Sequence, residues 1–244
     1  MNAEEKAKSY FQTDPLLYAD ASEILARGNA EIVTADERGV LLYERKAGTY
    51  LLCAEEYTGA VALLENVERE KICAGSGFIV AHGEKARAAV KDTFPVGSET
   101  ACYQVVYTSK TPLPLSGVLT FRHAERAEIE RIKRDYDREP PESIEQLAKE
   151  KKLWCGFDSE GAFVGFIGSH PEGSMGLLLI FPEHRRKGYG EELEKMLVNA
   201  YLAEGRLPYG HVVVENEVSM RLQEKLGYEV ADGKIYWLKI AHNQ

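Results

Sequence analysis

Cysteine is scarce in the 244-residue sequence, and Cys53, Cys73, Cys102 and Cys155 stand singly, with no C-x-x-C pair and no clustered histidines. Metal sites and disulfide frameworks need such ligands or partners at close spacing, so neither is expected, and the cysteines read as small buried hydrophobes. Long apolar runs are missing too. None approaches the roughly 20 residues of a membrane span, and the opening MNAEEKAKSY is polar, without the apolar core of a signal segment. A cytoplasmic protein with no membrane partner is the expectation.

Basic excess is the third absence. Lys and Arg total 30 against 39 Asp and Glu, a net charge of −9. The deficit is evenly spread, with 12 basic against 17 acidic residues up to residue 112 and 18 against 22 after it. Phosphate-backbone binding needs a basic surface, so a nucleic-acid partner is disfavoured. An acidic surface suits a cationic or amine acceptor.

What is present reads as alternating strands and helices. The first 30 residues hold two short helices broken at Pro15 and ended near Gly28. Val40–Tyr43 and Tyr50–Cys53 flank a glycine turn as a hairpin. Helices over 60–67 and 84–93 alternate with strands over 77–81 and 101–107. Thr108 to Gly117 carries two prolines and no periodicity, which makes it the linker and places a boundary at residue 113 between segments 1–112 and 113–244.

The second segment reads as a strand over 118–122, two helices parted by Pro140-Pro141, strands over 153–157 and 162–168, and a continuous apolar run from Leu177 to Phe181 ended by Pro182. That run predicts a central strand buried on both faces. A helix with Leu193, Met196, Leu197 and Ala200 inward follows, then a strand at His211–Val214, a helix opened by Asn216 and stopped at Gly227, and a terminal hairpin around Asp232-Gly233.

Between the apolar strand and the next helix lies Arg185-Arg186-Lys187-Gly188-Tyr189-Gly190. Two glycines opening a helix behind three cations suit a phosphate: the helix N-terminus offers amide N–H groups and partial positive charge, and glycine lets an anion approach the backbone. The setting, strand before and helix after, is the one such a loop requires.

These residues resemble the acyl-CoA loop of the GNAT N-acetyltransferases, whose signature is Q/R-x-x-G-x-G/A. Asn216, Ser219 and Leu226-Gly227-Tyr228 resemble the second motif of that family, N-x-x-(A/S) followed by L-G-F/Y. The resemblance covers about residues 116–240. It implies an α/β (α+β) fold with a mixed, mostly antiparallel sheet flanked by helices. It implies acetyl-CoA, or another acyl-CoA, as co-substrate, with no metal. Arg185, Arg186, Lys187, Gly188, Tyr189 and Gly190 would hold the pyrophosphate; the backbone of Leu178, Leu179 and Ile180, with Asn216 and Ser219, would meet the pantetheine arm.

The first segment has a similar element order, as of a second, degenerate copy, but residues 57–70 offer no R-x-x-G-x-G, so it is expected to bind no CoA. This pairing, with Ser219 and the Ile235–Leu238 ending, resembles the glycine N-acyltransferase-like branch.

Amine acylation needs a proton acceptor. His211 falls where several relatives carry a glutamate, and Glu215 shares its strand face at period two. Many relatives carry an acidic tyrosine where this chain has Gln223, which cannot donate a proton as an acid; either the thiolate departs unaided, or Tyr228 or Tyr236 substitutes. His170 and Glu172 read as turn residues that would line an acceptor site only secondarily. The implied activity is acyl transfer to a primary amine of a small molecule or amino acid by a monomer or homodimer. A CoA-binding sensor without turnover, and a protein N-terminal or lysine acetyltransferase, are the alternatives.

Overall fold

A computed structural model describes residues 1–241. In chain order the elements are α1 (Ala3–Phe11), α2 (Ala19–Ala26), β1 (Ala30–Asp36), β2 (Gly39–Glu44), β3 (Thr49–Cys53), α3 (Tyr57–Leu64), α4 (Arg69–Ala74), β4 (Phe78–His82), α5 (Glu84–Thr93) and β5 (Val96–Val106). Then come β6 (Thr120–His123), α6 (Arg126–Asp135), α7 (Pro141–Lys149), β7 (Leu153–Phe157), β8 (Phe163–Ser169) and β9 (Met175–Ile180). After a short 3-10 turn, Pro182–His184, follow α8 (Tyr189–Ala203), β10 (Tyr209–Val213), α9 (Glu217–Leu226) and β11 (Glu229–Ile240). The fold is mixed α/β, its strand pairs mostly antiparallel.

The chain forms two compact units that do not follow a single cut at residue 113. One is Met1–Val106 together with the chain from His211 onward; the other is Tyr107–Gly210. The reason is β11. Its residues Ile235–Lys239 pair antiparallel with β4, and Glu229–Ile240 pair antiparallel with β5, so the C-terminal strand is hydrogen-bonded into the N-terminal half. The expected hairpin around Asp232-Gly233 does not form: β11 is one 12-residue strand, with a register shift between Val230 and Lys234 taking up the Asp-Gly step. Gly233 lies against Leu17, where an added Cβ would sit 3.2 Å from the leucine methyls.

In the first unit the strand order is β1-β2-β3-β4-β11-β5. Successive residues of the apolar strands serve opposite faces, as the two-residue period of a strand dictates. Leu41, Leu52, Ile79 and Leu238 pack with α3 and α5, while Val40, Leu42, Leu51, Val80 and Ile235 pack with α1 and α2. Both faces are buried, which is why β2 and β3 read as unbroken apolar runs.

In the second unit β6, β7, β8 and β9 form an antiparallel meander, and β10 starts parallel to β9 through Gly210 opposite Met175. Ile132 of α6, Tyr136 just past its end, and Ile144 and Leu147 of α7 cover Leu153, Cys155, Phe166 and Leu177. Leu193 of α8 fills the space over Gly156 on β7. β9 is not buried on both faces as its composition predicts: Leu178, Leu179 and Ile180 are only half-buried.

Gly165 on β8 sets how closely β9 approaches. A Cβ there would lie 2.3 Å from the Leu179 carbonyl oxygen and 2.8 Å from the Ile180 Cδ1. Backbone cannot swing aside as a flexible side chain would, so Gly165→Ala is expected to destabilise the protein by about 2 kcal/mol or more, in the range of core overpacking. Chemical denaturation checks this, with an unchanged midpoint as the contrary result.

Candidate functional site

In the second unit, β9 carries a bulge. Phe166 pairs with Leu179 but Gly168 pairs with Gly176, so one more residue is spent on β9 than on β8, and Leu177 takes the extra turn at φ +59°. A branched residue in the left-handed region is a strained conformation, of the kind concentrated at functional sites. Beyond the strand, Arg185 Nε donates to the Ile180 carbonyl at 3.0 Å and ties the loop to the strand end. Arg186 is also left-handed, at φ +64°.

Gly188 is the residue before α8, at φ +78°, ψ 1°, and no side chain caps this helix. An added Cβ at Gly188 would meet nothing within 4 Å, so glycine is required by conformation and the space before the helix is open. Gly190 stands 3.6 Å, measured from its would-be Cβ, from Ile180 and seats the helix start on the strand. Arg185, Arg186 and Lys187 are exposed, whereas the acids of the first turn are answered from their own helix: Lys195 Nζ lies 2.8 Å from Glu191 and 3.5 Å from Glu192. Glu183 is taken by Arg131. An uncapped helix start thus carries cationic charge not neutralised by its own acids, the electrostatics of an anion cradle. Beside it a cavity of about 360 Å³ is lined by Val118, Thr120, Asp158, Ser159, Lys187 and Tyr189.

In the first unit, Asn216 caps α9: its side-chain carbonyl accepts from the Ser219 amide at 3.1 Å, which leaves the Asn216 NH₂ as the donating end of the side chain. Gly227 closes the helix at φ +82°, and the Tyr228 amide donates to the Gln223 carbonyl at 3.0 Å. Tyr228 and Gln223 are buried, and Glu215 is exposed.

His211 sits in a polar cluster that the sequence does not announce. The Trp237 indole N–H donates to its Nδ1 at 3.2 Å. Nδ1 must therefore carry the lone pair and Nε2 the proton. Nε2 faces the Asp20 carboxylate at 3.5 Å. Asp20 also accepts from its neighbour's Ala21 amide at 2.7 Å and from His82 Nε2 at 2.8 and 3.0 Å. The other His82 nitrogen, Nδ1, lies 3.1 Å from the Leu52 carbonyl and 3.6 Å from Cys53 Sγ. Both nitrogens of His82 face oxygen acceptors, so the ring is an imidazolium.

Asp20 and His82 are each 1% exposed. Burial alone would raise the Asp20 carboxyl, but the charge of His82 and the bonds from His211 and His82 hold it well below the usual carboxylate range. Burial likewise opposes the His82 charge, and the Asp20 carboxylate overrides it, holding His82 well above an ordinary histidine. Gln104 lies on β5, next to β10, and the Val214 amide bond to the Ala101 carbonyl sets a register with Gln104 opposite His211. Gln104 is fully buried, and neither atom of its amide has a hydrogen-bond partner.

Asp20, His82 and Gln104 were not legible as a group because 62 residues separate Asp20 from His82. The one local signal is an aspartate among Ala19, Ala21 and Ile24 on the buried face of α2. His170 and Glu172, in the second unit, are engaged with residues of that unit: His170 Nδ1 lies 3.6 Å from Glu139, and the Ser174 hydroxyl donates to Glu172. Among the described residues no group of three or more His, Cys, Asp and Glu is placed to hold a metal ion, and no helix is long and apolar enough to cross a membrane.

Residues 156–238 match the family described as FR47-like protein. Among solved structures, a Drosophila protein shares 15% identity at a TM-score of 0.61, over 94% of this chain and 90% of its own. A GCN5-related N-acetyltransferase from Kribbella flavida shares 12% identity at a TM-score of 0.56, over 94% and 95%. A GNAT-family acetyltransferase structure from Novosphingobium aromaticivorans shares 14% at 0.55, over 93% and 97%. A search of curated protein sequences finds no match.

Proposed function

From a chain with the fold of the GNAT superfamily, whose FR47-like stretch runs over residues 156–238, we propose an acetyl-CoA-dependent N-acyltransferase acting on a primary amine of a small molecule or amino acid. The observation that carries this reading is the loop Arg185–Gly190. There an uncapped 15-residue helix opens behind a left-handed glycine and three exposed cations. Amides of the first turn, Arg186 and Lys187 hold the pyrophosphate of the acyl donor. By the motif resemblance, the backbone of the half-buried Leu178–Ile180 would serve the pantetheine arm, as would the capping Asn216 with Ser219.

The chemistry is direct transfer. The amine nitrogen bonds to the thioester carbonyl carbon, the C–S bond breaks, the thiolate leaves with the electron pair, and the amine proton passes to a base. His211 is that base through Nδ1, the nitrogen that carries its lone pair. Tyr228 or solvent returns a proton to the departing sulfur, since Gln223 cannot. An acidic protein surface, at a net charge of −9, favours approach of a cationic amine.

Thiol release from acetyl-CoA, measured against a panel of amines and amino acids, tests the reading: amine-dependent release is expected, and binding without release would favour a CoA sensor. His211→Ala is expected to lower kcat by about 100-fold or more, the usual worth of a positioned base, while acetyl-CoA affinity stays within twofold. A normal rate in that variant would move the role to Glu215 or to water.

A further inference from the structure

We infer that Asp20 and His82 are positioning residues for His211, Asp20 fixing its Nε2–H tautomer so that Nδ1 is the proton-accepting nitrogen and His82 limiting how strongly Asp20 does so. This rests on the acyl-transfer reading above for its consequence in rate, and on geometry alone for the tautomer.

The geometry is a chain of three side chains in the first unit. Trp237 donates to Nδ1 of His211, Nε2 of His211 faces Asp20, and Asp20 is bound by His82. A carboxylate opposite one imidazole nitrogen holds the proton there and stabilises the ring when the other nitrogen gains a proton. The Trp237 N–H occupies that second nitrogen at rest. In the reaction the proton leaving the amine arrives at Nδ1, the indole N–H gives way, and His211 becomes an imidazolium facing Asp20. Atoms and charge balance without a further reactant.

His82 supplies the counterweight. Without it, a buried carboxylate would hold the His211 proton tightly and slow its return to solvent; with it, Asp20 is already half answered. His211 is contacted by Asp20 on α2 and Trp237 on β11; the further groups on the elements about it are His82 on β4, bound to Asp20, Gln104 and Cys102 on β5, and Glu215 just past β10. Gln104 is neutral, and burial, aided by Glu215, pushes the Cys102 thiol up to about 12, so it stays protonated. Glu215 is exposed.

The two residues act with opposite sign, which a merely structural role does not predict. Removing the carboxylate weakens the imidazolium of His211, so in Asp20→Asn the acid limb of the kcat/KM profile moves to lower pH, and kcat falls about tenfold. Removing the neighbouring cation strengthens it, so in His82→Gln the limb moves to higher pH. Asp20→Asn/His82→Gln, which leaves no unpaired buried charge and keeps the experiment open should the single variant not fold, places the limb between them. Acetyl-CoA affinity stays within twofold throughout.

The experiment is the pH profile of amine-dependent thiol release by the full chain and these variants, with nitrogen NMR of the His211 ring in the same proteins. Opposite limb shifts, with the Nε2–H tautomer in the wild type and a mixture once Asp20 is replaced, are expected. Shifts in one direction, no shift, or an unchanged tautomer in the Asp20 variants would overturn the assignment. Should the wild type acylate no amine, the acyl-transfer reading fails by itself, and the NMR still decides whether Asp20 sets the His211 ring.

Discussion

Gly188→Glu is expected to weaken acetyl-CoA binding by 100-fold or more while the protein still folds. Two effects separate cleanly at this position. The backbone stands at φ +78°, so any side chain costs about 1 kcal/mol of strain, the usual penalty for a non-glycine residue in the left-handed region. That is too little to unfold an ordinary domain. The new carboxylate enters open space, with nothing within 4 Å of its Cβ, so it clashes with no protein atom. On the proposed reading it would lie where the pyrophosphate binds, bringing like charge to that site and answering Arg186 or Lys187 in the ligand's place. Gly188→Ala carries the strain without the charge and is expected to lose far less affinity. Calorimetric affinities and thermal unfolding of both variants check the argument, and a Gly188→Glu protein that binds as the wild type does would remove the loop from the site.

The second large effect is on stability. Asp20→Asn is expected to destabilise the protein by about 3–5 kcal/mol, the cost of leaving one member of a buried ion pair uncompensated. The reason is that His82 has no solvent to turn to: its side chain is fully buried, against Leu52, Cys53 and the Tyr18 ring. Asp20→Asn/His82→Gln should recover most of the loss, since two neutral side chains of similar shape can share a bond. Chemical denaturation of the three proteins is the measurement; a single variant as stable as the wild type would contradict the buried charge pair.

The same pair sets a pH window. Asp20 is held low in the folded state, so its contribution is present above the unfolded carboxyl value of about 3.9 and is lost as pH falls through the folded value. His82 is held high, so its contribution is complete below the unfolded histidine value of about 6.5 and is lost as pH rises through the folded one. The pair therefore contributes most between about pH 4 and 6.5. Relative to the double variant, wild-type stability should decline on either side of that window; parallel curves would count against the charges.

Local signals carried most of the fold. Helix α5 at Glu84–Thr93 and strand β7 at Leu153–Phe157 fall where capping, proline and apolar spacing place them. The loop was legible because its chemistry is contiguous: cations, glycines and helix start lie within six residues. Two things were not legible, and both depend on distant pairing. Asp232-Gly233 has the composition of a tight turn, yet β11 continues through it because β5 pairs with the strand on both sides of the step and β4 pairs with Ile235–Lys239 beyond it. Asp20 and His82 are single polar residues in unrelated segments, and nothing local to either shows that they meet. His211 was visible as a candidate base on a strand, but its tautomer depends on Trp237, 26 positions away, and on Asp20, neither of which is local to it.

The measurement that bears most directly on the whole account is calorimetric titration of the purified full chain with acetyl-CoA. Saturable one-to-one binding is expected, weakened by salt if Arg186 and Lys187 hold the pyrophosphate as proposed, and lost in Gly188→Glu. No heat of binding at millimolar acetyl-CoA, from a protein shown to be folded, would contradict it.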